Sequence, residues 1–188
     1  QHIKRGDCYE INFCQEFVAD NVSADAVELY HRLSKLSPNP FSCYYKVGAA
    51  HLACASPERY IMKQGQQIIS QPIKGTAQRD LQNEVNDDIS KKALHESDKD
   101  QRENVMVVDL VRNDLSKVCE SGTVVVKELF GVYSYPQVHQ MISTIEGALL
   151  SEVSFTDIIR ATFPMGSMTG APKKRVLELI DKYEISPR

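Results

Sequence analysis

The sequence predicts a mixed fold of the α+β class, and three observations carry that prediction. Apolar residues alternate at Tyr9, Ile11 and Phe13 with Glu10 and Asn12 between them, the period of a half-buried strand. They recur at helical spacing through Ala26, Leu29, Tyr30, Leu33 and Leu36. Strand-like runs also return in neighbouring pairs joined by short turns, which is the mark of hairpins.

In order along the chain, the alternation from 9 to 17 predicts a strand. Ser23 is expected to cap the helix that follows, which Pro38 stops. Residues 41–47, up to Gly48, and 49–55 read as a strand pair, and 60–62 with 67–70 as a hairpin around Lys63-Gln64-Gly65-Gln66. The acidic stretch 80–100 tolerates helix. The valine-rich stretch 101–118 suits helix or strand, with helix favoured. Strands are predicted at 123–132 and 137–149, then a short helix at 155–163 closed by Pro164. Pro172 opens a last helix with Val176, Leu179, Ile180 and Tyr183 on one face.

The 188 residues leave room for one domain or one and a half, given domains of about 100 to 150 residues, and no repeat or linker divides them. With 42% hydrophobic residues a real core is expected. The formal net charge of −3 supplies no basic field for a polyphosphate backbone, so nucleic acid is not an expected partner. No apolar run approaches about 18 residues, so no membrane span is expected. Five cysteines, odd in number and without a C-x-x-C pair, read as buried small apolar side chains in a reducing compartment, the cytoplasm. The chain opens at Gln1 without a signal-peptide pattern and stops at Arg188 directly after a helix-like segment, so it is expected to be an excerpt.

Four islands combine turn residues with reactive ones. In Ala55-Ser56-Pro57-Glu58-Arg59, Glu58 is a candidate general acid; the alternative is a surface carboxylate beside Arg59. In Gln71-Pro72-Ile73-Lys74-Gly75-Thr76, Lys74 would sit on a loop, held between a rigid Pro-Ile and a permissive Gly-Thr turn. Desolvation favours a neutral, nucleophilic amine; the alternative is an ordinary exposed lysine. The third is Glu103-Asn104-Val105-Met106-Val107-Val108-Asp109-Leu110-Val111-Arg112-Asn113-Asp114. A helix there would put Glu103, Met106, Asp109 or Leu110, and Asn113 on one face and offer oxygen to a cation such as Mg2+; the alternative is an Arg112–Asp109 pair and solvated acids. The fourth, 163–173, sets small residues before a proline-started helix, either a carboxylate or phosphate site or a plain tight turn. His139 stands apart on a predicted strand, where a satisfied core residue is the commoner role.

Together with Gly6-Asp7-Cys8-Tyr9-Glu10-Ile11-Asn12 at the N-terminus, these islands resemble the chorismate-utilising enzymes, and among them the aminodeoxychorismate synthase component I branch. The resemblance spans nearly the whole chain. It implies two stacked antiparallel sheets with helices outside, with 1–188 as a partial catalytic domain lacking the family's N-terminal region and C-terminal strands. Lys before the Gly-Thr pair implies the branch that makes 4-amino-4-deoxychorismate from chorismate and ammonia, for 4-aminobenzoate and folate synthesis, with a glutamine amidotransferase as ammonia source. Lys74 would attack C2 of chorismate as the C4 hydroxyl leaves, ammonia would then add at C4, and Glu58 would serve as acid and base at the C4 oxygen. Glu103 would be a ligand of Mg2+, and Gly75, Thr76 and Thr169 would contact substrate. Where relatives often place a histidine, this chain has Gln140, with His139 one step earlier. The alternatives are an anthranilate or isochorismate synthase of the same family, or a folded fragment that is inactive by itself.

Overall fold

The computed structural model describes residues 1–187. The chain packs as two compact units, one formed by Gln1–Gln15 and the chain from Tyr60 onward, the other by Glu16–Arg59.

In the smaller unit a helix, residues Ala26–Leu36, is followed by two strands, Phe41–Val47 and Ala50–Ser56, paired antiparallel with Cys43 opposite Cys54. Asp25, not Ser23, caps the helix. Its carboxylate accepts from the Val27 and Glu28 amides at 2.8 and 3.0 Å, which holds the carboxyl below its ordinary pKa. Asp25 directly precedes the first helical residue, whereas Ser23 lies outside the reach of the free amides.

The larger unit begins with α1 (His2–Arg5) and β1 (Glu10–Ile11). The smaller unit's helix is α2 and its strands are β2 and β3. Then come β4 (Arg59–Gln64), β5 (Gln67–Gln71), β6 (Ile73–Gln78), α3 (Glu84–His95) and α4 (Asp98–Ser116). The unit closes with β7 (Val125–Ser134), β8 (Val138–Ala148), α5 (Phe155–Thr162), β9 (Gly170–Ala171) and α6 (Lys173–Tyr183). Strand pairing is antiparallel, as an α+β fold with antiparallel sheets requires. The strand predicted at 9–17 shrinks to Glu10–Ile11, because its partner β9 is only two residues long before Pro172. Phe13 and Phe17 are exposed.

Strand β8 organises the five-stranded sheet. Ile145 faces Ser70 of β5 on one edge and Val126 of β7 on the other, and Gln140 faces Thr76 of β6 and Tyr133 of β7. Strands β5 and β6 therefore share one edge of β8, parted at Pro72, whose carbonyl accepts from the Ser143 amide at 3.2 Å. Successive residues from His139 to Ser143 are all buried, so both faces of β8 are covered. Helices α3 and α4 pack on β6 and β8. The acidic stretch divides at Ser97, whose hydroxyl caps α4, while Asn83 caps α3.

One core gathers Ile68, Val108, Leu115, Ile145 and Ile158 from β5, α4, β8 and α5, with Leu149 just past β8. A second joins Cys8 to Val176, Leu179 and Ile180 of α6; Tyr183, expected on that face, is 47% exposed. Of the cysteines only Cys8 and Cys119 are buried, Cys43 is exposed, and all five thiols are free. Among the described residues no helix is long and apolar enough to cross a membrane.

Candidate active site

The expected loop around Lys74 is strand β6. Ile73 pairs with Ile142 and Thr76 with Gln140, so Lys74 and Gly75 together oppose the single residue Met141. That two-against-one count is a β-bulge, which re-aims a side chain out of the regular alternation. Gly75 has φ +97°, and a Cβ there would lie 3.0 Å from the Asp100 Cβ and 3.1 Å from the Leu94 Cδ1. Backbone conformation and the packing of α3 and α4 both require glycine at this position.

The bulged lysine is 15% exposed, and its Nζ donates to Oε1 of Glu10, itself 20% exposed. The same Glu10 oxygen accepts from Asn12 Nδ2 at 3.2 Å, and Asn12 Nδ2 also donates to the Ser167 carbonyl at 2.9 Å. Glu10 Oε2 is buried without a hydrogen-bond partner. Around this carboxylate the backbone is closely fixed. The Tyr9 amide donates to the Ala171 carbonyl at 2.8 Å and the Asn12 amide to the Thr169 carbonyl at 2.9 Å. Gly170, at φ +126°, lies so near that a Cβ would come within 2.1 Å of the Glu10 carbonyl oxygen. Three runs separate in sequence, 6–12, 72–76 and 163–173, thus meet around Glu10, whose carboxylate holds the lysine amine.

The other expected site residues are placed as follows. Thr76 is exposed. Thr169 is fully buried, and its hydroxyl donates to the Met165 and Gly166 carbonyls at 3.2 and 3.3 Å, bracing the turn before α6. Glu58 belongs to the smaller unit, where its amide donates to Ser56 Oγ at 3.3 Å across the Ser-Pro-Glu turn. On α4, Glu103 is half-buried and 3.6 Å from Lys99 Nζ. Asp109 and Arg112 pair at 2.9 Å on the exposed side, the alternative open at the sequence level. The buried stripe of α4 is the neighbouring one, Asn104, Val107, Val108, Asp114 and Leu115; Asp109 and Asn113 are exposed. Among the described residues no three His, Cys, Asp or Glu side chains gather as a metal cluster. Glu103 is one accessible carboxylate, a donor set that suits a largely hydrated Mg2+ rather than a protein cage.

Apart from His139, the remaining buried polar contacts had no signal in the sequence. Asn104, 1% exposed, accepts at Oδ1 from Ser143 Oγ at 2.5 Å, and Ser143 accepts from the Phe130 amide at 3.1 Å. Asp114 accepts from Lys173 at 2.6 Å and from Lys117 at 2.8 Å, joining α4 to the start of α6. Tyr60 bonds Thr162 at 2.7 Å, and burial pushes its phenol pKa up. His139 is 1% exposed and its Nε2 donates to Asp87 at 3.0 Å, the satisfied core role. Asp87 also accepts from Arg79 Nη2 at 2.7 Å and the Asp80 amide at 2.9 Å. Chiefly through the Arg79 hydrogen bonds, its carboxyl is lowered to about 2.

Comparison with known proteins gives this geometry a context. A family model described as chorismate binding enzyme matches residues 1–188. A probable chloroplastic aminodeoxychorismate synthase of Oryza sativa subsp. japonica is 43% identical over 190 residues, covering 100% of this chain and 21% of that protein. Aminodeoxychorismate synthase component 1 of Escherichia coli K12 is 40% identical, covering 98% of this chain and 40% of that protein. The crystal structure of anthranilate synthase component I from Streptococcus pneumoniae superposes with a TM-score of 0.82 at 28% identity, covering 96% of this chain and 39% of that one. The chain therefore spans about two fifths of the bacterial relatives and one fifth of the plant one. With a family match from end to end, this chain belongs to the chorismate binding enzyme family.

Proposed function

We propose that the protein carrying this chain is an aminodeoxychorismate synthase, and that Lys74 is its nucleophile. The observation that carries the reading is the placement of Lys74, which a bulge turns out of the β6 alternation and which lies mostly enclosed with its amine on a carboxylate. Relatives of that name at 40–43% identity support it. The lysine amine bonds to C2 of chorismate, the ring double bonds shift, and the C4 hydroxyl leaves with a proton from Glu58. Ammonia then adds at C4, the shift reverses, Lys74 is expelled from C2, and the ammonium formed at C4 returns a proton to Glu58. Two displacements replace one difficult substitution, the usual gain of covalent catalysis. Gly75 and Thr76, next along the bulged strand, contact substrate, and Thr169, buried, braces the turn before α6. Glu103 is the residue of this chain that would hold Mg2+, and the ion when bound supplies positive charge for the ring carboxylate. The ammonia comes from a glutamine amidotransferase partner, as the component 1 naming of relatives suggests. Five free thiols accord with the cytoplasm.

Intact-protein mass spectrometry of the full-length enzyme with chorismate, in the absence of any amine source, tests this reading. An adduct is expected in the parent and none in Lys74→Ala, which still folds because its β6 backbone pairing is untouched. An adduct in the variant removes Lys74 from its role. The structural likeness to an anthranilate synthase favours a second reading, and anthranilate as the product with ammonia would establish it.

A further inference from the structure

We propose that Glu10 is the positioning residue of Lys74, an inference that rests on the nucleophile reading above. Lysine has four rotatable side-chain bonds, so an amine in solvent is spread over many positions, whereas attack on one ring carbon needs it at one. In this fold a single carboxylate oxygen supplies that constraint. Glu10 Oε1 accepts from Lys74 Nζ and from Asn12 Nδ2 together, and Asn12 is in turn fixed to the Ser167 carbonyl. The backbone beneath Glu10 is held on both sides by the β1–β9 pairing, with Gly170 in near contact. The chain from 166 to 171, the turn before α6, is thereby coupled to the amine through Glu10.

Placement, not proton removal, is the role the chemistry favours. One carboxylate oxygen that accepts from both Lys74 Nζ and Asn12 Nδ2 fixes where the amine sits. Glu10 Oε2, buried and without a partner, also faces no donor that would turn the carboxylate to another target.

The test uses the full-length enzyme and three variants, Glu10→Ala, Glu10→Gln and Glu10→Asp. With chorismate and no amine source, Glu10→Ala should form the Lys74 adduct about 100-fold more slowly while chorismate affinity, titrated directly, changes less than about threefold. Formate should restore part of the rate in Glu10→Ala by occupying the vacated carboxylate position, and Glu10→Asp should keep more of it than Glu10→Gln. A purely structural role would give no formate rescue, and that result, or a parental rate in Glu10→Ala, overturns the proposal. A second arm needs no chorismate: labelling by trinitrobenzenesulfonate, read on the Lys74 peptide, should be about tenfold faster in Glu10→Gln than in the parent, because a charged hydrogen bond no longer holds the amine. Unchanged labelling overturns the contact. An accelerated label in a protein whose parent forms no adduct would retain the contact and reject Lys74 as nucleophile.

Discussion

Asp114 and Lys173 stand 59 residues apart in sequence and 2.6 Å apart in space, both largely buried, and they tie the end of α4 to the first turn of α6. Lys173 also donates to the Thr162 carbonyl at 2.9 Å, so α5 joins the same junction. Two runs that read in the sequence as separate islands are one structural joint.

Breaking that joint from either side should have unequal effects. Asp114→Ala leaves the Lys173 ammonium enclosed with only a carbonyl, and should cost about 3–5 kcal/mol of stability. Lys173→Met should cost less, because Asp114 keeps Lys117 at 2.8 Å. The double variant should lose less than the two single losses added, since each removes the other's stranded charge. Denaturant midpoints of the full-length protein measure all three.

Asp87 makes stability depend on acid. Its folded-state pKa of about 2 lies below the ordinary carboxylate range, so the unfolded chain binds its proton first as pH falls. The stabilisation is complete above about pH 4 and is lost as pH drops through 2. Thermal unfolding of the parent should therefore steepen in its pH dependence between 4 and 2. Asp87→Asn should be less stable at pH 6 and flatter across that acid window.

Gly170→Ala should be among the most damaging single-methyl additions in the chain. The new methyl meets the Glu10 carbonyl oxygen at 2.1 Å on a backbone at φ +126°, so β1 and β9 must part. A loss of at least about 3 kcal/mol is expected, against about 1–2 kcal/mol for Gly65→Ala, where φ is +59° but the added methyl has open space. Calorimetry of the two variants compares them, and adduct formation should fail in Gly170→Ala because Glu10 moves with the strand.

Much of the fold was legible because it is local. The hairpins at 41–56 and 60–71, the pair 125–148 and the helices α2, α5 and α6 each announce themselves through a period and a turn. Strand β6 did not, because Pro72 and Gly75 bracket Lys74 with turn residues, and only the β8 ladder shows them to be an edge break and a bulge. The division at Ser97 was hidden because both sides of it are helix-forming. At the site, Lys74 was legible as a candidate, but its carboxylate was not. Glu10 lies 64 residues away, and a contact across that distance leaves no periodic trace. The one available cue was that 10 and 12 share a face of an alternating run, which puts Glu10 and Asn12 side by side.

The position of β8 also sets an order of assembly during synthesis. Strands β5, β6 and β7 all hydrogen-bond to it, yet all three precede it in the chain. Until Ala148 has left the ribosome, the inner edges of β5 and β6 and the long edge of β7 have no partner within this sheet. The nascent chain therefore carries open strand edges through the translation of some eighty residues from β5 onward. At about 5–20 residues per second that interval is several seconds, long enough for unpaired edges to find another chain. Closure by non-local pairing is slow by its topology, so the yield of folded protein should depend on how well those early strands are shielded while they wait.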